Sequence, residues 1–176
     1  MMHIEGHPSR IREIQIIRRK RQGIVLAGFV LLCLAIGGVG GWLTVDGVAT
    51  WYQMIAKPSW RPPDWVFGPV WTALYIMMGC AGWLIWRGDN SPGRRPALVA
   101  WFAQLALNFF WSPLFFGFHT VGLALIDIYL LWLLIGRFFF TAWSLSRPAA
   151  FLFSVYWVWV TYATALNLAI WLMNRS

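Results

Sequence analysis

Five long apolar runs, separated by short polar or proline-rich breaks, make up nearly all of this chain after its first twenty-odd residues. A helix of about 20 apolar residues crosses the hydrocarbon of a bilayer. Inside hydrocarbon the backbone must satisfy its own hydrogen bonds, which leaves the helix as the form for runs of this length. The runs predict an all-α membrane protein, a five-transmembrane-helix bundle, with spans near 23–45, 66–86, 97–117, 120–143 and 149–173. They form one domain over 23–176, preceded by a basic tail at 1–22 and interrupted by a longer connection at 46–65. Composition agrees: 60% of the 176 residues are apolar and 11% charged, against about 25% charged in a soluble domain. Charge this sparse cannot cover a water-soluble globule, and the length leaves little room for a separate soluble catalytic module.

The net charge of +8 is clustered. Six of the fourteen basic residues fall in the first 21 positions: Arg10, Arg12, Arg18, Arg19, Lys20 and Arg21. A basic stretch just before an apolar span sets orientation and meets anionic lipid, and this reading is preferred to a nucleic-acid partner. An N-terminus on the cytoplasmic side also puts the 87–96 loop and Arg147 there, and leaves Lys57, Arg61 and Arg175 outside. The positive-inside rule therefore predicts N-in and C-out, with the 46–65 connection facing outward. The run from Gly23 to Val45 is too long for a signal-peptide core, and no Ala-x-Ala cleavage site follows it. The expected location is a bacterial cytoplasmic membrane. Cys33 and Cys80 lie within apolar stretches and predict no disulfide framework.

The fourteen tryptophans exceed what interfacial belts require. Trp42, Trp51, Trp83, Trp86 and Trp171 suit an interface, but others fall mid-span. Phe67, Trp71, Tyr75 and Met78 recur at helical spacing in the second span. Gln104, Asn108 and Trp111 do so in the third, and Tyr156, Trp159, Ala163, Leu166 and Asn167 in the fifth. Amides in hydrocarbon face a bundle interior or a cavity. Asn108 and Asn167, taken alone, read equally well as interhelical glue. Together the three stripes predict an aromatic-walled cavity for a large, flat, apolar ligand. Gly37 and Gly41 have the small-xxx-small spacing of a close helix contact.

Asp127 is the acid deep within a span, which makes it a functional candidate, with a hydrogen-bonded structural role as the alternative. Arg137 lies about 15 Å further along the same helix, too far to pair with it directly. His3, His7 and His119 sit in the tail or a turn, and a haem-ligand role for His119 is the weaker reading. There is no phosphate loop, no paired carboxylates and no cysteine metal cluster, so no metal site and no hydrolytic or nucleophilic chemistry is expected.

One set of motifs is distinctive: Trp51-Tyr52, then Lys57-Pro58-Ser59-Trp60-Arg61-Pro62-Pro63, then Phe67, Trp71 and Leu74-Tyr75. With Leu107-Asn108, Trp111, Pro113 and Phe115-Phe116-Gly117 in the third span, Asp127 in the fourth, and Tyr156, Trp159, Leu166-Asn167 and Asn174 in the fifth, the chain resembles the TspO/MBR family over roughly residues 35–174. The resemblance implies a five-helix bundle, often dimeric, with a ligand cavity beneath the first long loop. It implies porphyrin, haem or a related tetrapyrrole as ligand, with no obligatory cofactor, and a homodimer as a possible assembly. By the same resemblance Trp71, Tyr75, Asn108, Trp111, Trp159 and Ala163 line the cavity, with Trp60 and the Pro62-Pro63 turn as its lid. The chain departs from the family in having Val155 where a proline usually precedes Tyr156. After Tyr162 the next basic residue is Arg175, too distant for the Tyr-then-basic pattern proposed for sterols, which argues against sterol binding.

The expected function is a tetrapyrrole-binding membrane protein that translocates, senses or regulates porphyrin intermediates. Phe67, Gln104, Asp127, Tyr156 and Asn167 join the ligand-binding candidates, and Lys57 and Arg61 are candidates to pair with propionates. Two alternatives stand beside it. One is a light-dependent porphyrin-degrading enzyme, with Trp71 and Trp159 as redox partners. The other is a non-catalytic scaffold in which the stripes are core packing.

Overall fold

A computed structural model describes residues 8–175. The chain forms α1 (Pro8–Ala49), a short α2 (Trp51–Met54), α3 (Asp64–Trp86), α4 (Arg94–Ser112), α5 (Val121–Leu145) and α6 (Arg147–Met173). Five of these are long and apolar enough to cross a membrane. The protein is an all-α integral membrane bundle.

α1 runs unbroken from Pro8 through the basic cluster and on to Ala49, so residues 8–22 are helical and continuous with the first span. At 1.5 Å per residue its 42 residues extend about 63 Å, roughly twice the hydrocarbon thickness. Arg18, Arg19, Lys20 and Arg21 are exposed on it. No helix-breaking residue separates the two parts: Gly23 is tolerated at modest cost, and the first proline after Pro8 is Pro58. His3 and His7 lie outside the described residues.

The connection after α1 behaves as its prolines dictate. Pro58, Pro62 and Pro63 have no backbone N–H to donate, so helix gives way from Ile55 until Asp64 opens α3. Between α4 and α5, Pro113 shapes the turn. The backbone N–H of Phe118 reaches past it to the Pro113 carbonyl at 2.8 Å, a π-helical turn over Pro113–Gly117. His119 then takes a left-handed φ of 57°, its ring stacked on Trp51 at 4.4 Å. The Thr120 hydroxyl donates to the Leu114 carbonyl at 2.9 Å, which closes a turn with almost no polar sequence.

The long helices pack in a ring, α1 on α3, α3 on α6, α6 on α5, α5 on α4 and α4 on α1. The lower core lies away from the 50–63 connection. There Trp101 is fully buried and donates to the Met78 carbonyl at 2.9 Å, and Phe138 meets Phe153 at 3.8 Å. Glycines set the closest approaches: a Cβ on Gly79 would lie 2.7 Å from the Val30 Cα. At this end Arg87 covers Trp83 and Arg147 covers Trp143, at 4.5 and 4.0 Å, pairing aromatic interface anchors with basic residues.

Candidate functional site

At the other end the helices part around a cavity of about 550 Å³, with predominantly apolar walls. Phe67, Trp71 and Tyr75 come from α3, Asn108 and Trp111 from α4, and Trp159, Ala163, Leu166 and Asn167 from α6. The three stripes therefore converge on one space. Each also runs past it. Met78, Gln104 and Tyr156, the innermost member of each stripe, are fully buried and do not line the cavity.

The boundary is a hydrogen-bonded floor. The Tyr75 hydroxyl donates to Asn108 Oδ1 at 2.7 Å, and Asn108 Nδ2 donates to the Tyr156 hydroxyl at 2.9 Å. Asn108 thus joins three helices and satisfies groups whose burial alone would be costly. Higher up, Trp111 Nε1 donates to Asn167 Oδ1 at 3.0 Å, and Asn167 Nδ2 donates to the Val121 carbonyl at 3.1 Å. Both amides serve as glue and as wall. Trp159 packs edge-on against Phe67 at 6.0 Å, and its indole N–H is buried without a partner among the described residues.

The fourth wall was not anticipated. It comes from α1, through Gly37, Gly38, Gly40, Gly41, Thr44, Val45 and Val48. Thr44 donates to the Gly40 carbonyl at 2.8 Å and lies 3.2 Å from the Ser112 hydroxyl, which joins α1 to α4. Phe115 and Phe116 complete the lining where the π-helical turn swings them inward. Glycines carry no stripe signal, and the inward turn of two phenylalanines depends on backbone geometry around Pro113. Only the Gly37–Gly41 spacing hinted at this wall. Its members part company, since Gly37 presses on Tyr75 while Gly41 faces open space.

Several sequence candidates lie elsewhere. Gln104 is fully buried below the floor, where its amide donates to the Trp101 carbonyl at 2.9 Å. Tyr156 supports the floor from beneath. Asp127 is buried on α5, which contributes no residue to the cavity because it packs behind α4 and α6. Trp60 is half exposed, lies outside the lining and packs on Tyr162, whose hydroxyl donates to the Trp60 carbonyl at 3.0 Å. Lys57 and Arg61 are not in the lining either. Lys57 Nζ donates to the Tyr52 and Gln53 carbonyls, and Arg61 pairs with Asp64 at 2.5 Å. Desolvation and the nearby Arg61 lower the Lys57 pKa, while burial raises that of Tyr52. The loop is tied to α6 again where Asn174 bonds both the N–H and the carbonyl of Ala56, at 3.0 and 2.9 Å.

A bundle of five spanning helices, four of which wall an aromatic-lined apolar cavity, defines a helical membrane protein with an internal apolar chamber. The TspO/MBR family profile matches residues 29–172, and the chain belongs to that family. It is 39% identical to the tryptophan-rich protein TspO of Chlorobaculum tepidum, over 88% of this chain and 98% of that one. The human translocator protein is 38% identical over 72% of this chain and 76% of its own. The tryptophan-rich sensory protein of Cereibacter sphaeroides is 37% identical over 79% and 84%.

Proposed function

We propose that this protein binds a tetrapyrrole, porphyrin or haem, and translocates, senses or regulates porphyrin intermediates. The cavity carries this reading: about 550 Å³ of mainly apolar space, walled by the rings of Phe67, Trp71, Tyr75, Trp111, Phe115 and Trp159. A flat conjugated ring would gain by apolar burial and by offset or edge contacts with these faces. The Asn108 and Asn167 amides offer a few polar contacts to orient it. The open space itself weighs against the stripes being packing alone.

Propionates would lie toward the loop. Arg61 is 31% exposed in its pair with Asp64, and a pair so open to water contributes little, so a propionate can take the place of the aspartate. Lys57 would have to leave two carbonyls to do the same. The N-in, C-out orientation in a bacterial cytoplasmic membrane goes with this reading. Arg18 to Arg21, Arg87, Arg94, Arg95 and Arg147 then lie on the cytoplasmic side. The homodimer implied by the family resemblance would form through lipid-facing helix surfaces.

Tryptophan-fluorescence titration of the purified protein with a series of porphyrins tests the proposal. Saturable quenching is expected, weakened by charge reversal at Arg61. No saturable quenching by any tetrapyrrole would overturn it.

A further inference from the structure

The exposed part of the cavity wall belongs to two helices only. It comprises Gly38, Gly41 and Val45, with Val48 beyond them, on α1, and Asp64, Gly68 and Thr72 on α3. Every lining residue from α4, the π-helical turn and α6 is buried or half-buried. The roof is shut by α2, whose Tyr52 packs edge-on to Phe116 at 5.3 Å, and by the latches at Ala56 and Trp60. The floor is shut where Gly37 meets the Tyr75 ring, and below it Gly79 meets Val30. Between roof and floor the α1–α3 seam stays open. An added Cβ on Gly38, Gly41 or Gly68 would meet nothing within 4 Å. From Gly38 to Val48 this gap runs about 15 Å along α1. Both of its edges belong to helices long and apolar enough to cross a membrane, which would turn its Gly38–Val45 stretch toward lipid.

We infer that the cavity is filled and emptied sideways, through a portal between α1 and α3 that opens into the bilayer hydrocarbon. Its ligand is then a flat molecule that partitions into lipid and enters edge-on between two glycine-lined helix faces. The nature of that ligand rests on the tetrapyrrole reading above; the route does not. Glycine suits the portal because it keeps the gap wide without breaking either helix.

The test needs no porphyrin. In proteoliposomes, an Ala163→Cys variant in a Cys33→Ala, Cys80→Ala background is labelled with pyrene-maleimide dissolved in the lipid or with a charged methanethiosulfonate in the buffer. The lipid-borne reagent is expected to react faster. Plugging the portal with Gly41→Phe plus Gly68→Phe, or with Val45→Trp should the double variant fold poorly, is expected to slow it by about tenfold or more. Gly28→Phe, on the same helix but outside the gap, leaves the rate unchanged. Loosening the roof with Asn174→Ala also leaves it unchanged. The inference is overturned if the plugs have no effect, or if the charged reagent reacts as fast as the lipid-borne one and is accelerated by Asn174→Ala. Plug-sensitive labelling with no porphyrin binding to the wild-type protein would sink the tetrapyrrole reading and leave the portal standing.

Discussion

The hydroxyl of Tyr75 donates to Asn108 Oδ1 at 2.7 Å, and this bond sets the depth of the cavity. Above it the aromatic stripes face open space. Below it the same stripes are solid core. Asn108→Leu would strand the Tyr75 and Tyr156 hydroxyls, the latter fully buried. The expected loss is about 1–3 kcal/mol, read as a lower unfolding temperature in detergent. Tyr156→Phe removes one hydroxyl and strands only the Asn108 amide hydrogen, so it should cost less. Equal unfolding temperatures for Asn108→Leu and wild type would show that the floor does not hold the helices.

Adjacent glycines on α1 should respond oppositely. A Cβ on Gly37 would come within 2.1 Å of the Tyr75 ring, so Gly37→Ala must push α1 off α3 or move Tyr75 out of its bond with Asn108. Strain of about 1–3 kcal/mol is expected. At Gly38 a Cβ meets nothing within 4 Å, and alanine favours helix by up to about 1 kcal/mol. Thermal unfolding of the two variants should separate them in sign.

Filling the cavity should abolish binding without unfolding the protein. Ala163 lines the space and is 8% exposed. Ala163→Phe puts a ring where a ligand would lie. Porphyrin affinity should fall by about tenfold or more, with little loss of thermal stability, because the added ring enters existing space. Unchanged affinity would mean that the ligand sits elsewhere.

Asn174 clamps the roof through both polar groups of Ala56. Asn174→Ala removes both bonds, each worth about 1 kcal/mol. Amide hydrogen exchange in residues 55–63 should quicken by about tenfold, while the middle of α6 stays protected. Uniform exchange changes along α6 would point to fraying of the helix instead.

Burial raises the Tyr52 pKa, so the folded state holds its phenolic proton more tightly than the unfolded state does. That contribution is fully present below the ordinary tyrosine value of 10.0, and is lost as pH rises through it toward the folded value. Unfolding temperatures measured across pH 9 to 11 should fall less steeply in Tyr52→Phe than in wild type. Parallel slopes would mean that Tyr52 ionises as readily folded as unfolded.

The spacing of Phe67, Trp71 and Tyr75 was enough to place them on one face, because helical periodicity is local and large side chains mark it. The same reasoning carried the stripe on to Met78, and the stripes of the third and fifth spans to Gln104 and Tyr156. Periodicity states which face a residue occupies. It does not state how far down that face the empty space extends. Asp127 shows the same limit. A buried acid reads as functional by default, yet α5 packs on the far side of α4 and α6, and which helix lies behind which is not written in any one of them.

By itself the sequence determined that the chain spans a membrane as five helices, because hydrocarbon admits no other form for runs so long and so apolar. It also determined which helix faces carry rings, because helical spacing repeats regardless of neighbours. Only the tertiary structure decided where those faces meet, that a tyrosine–asparagine–tyrosine chain closes the floor, and that glycines on α1 form the fourth wall. A wall made of absent side chains exists only once another helix stands opposite it.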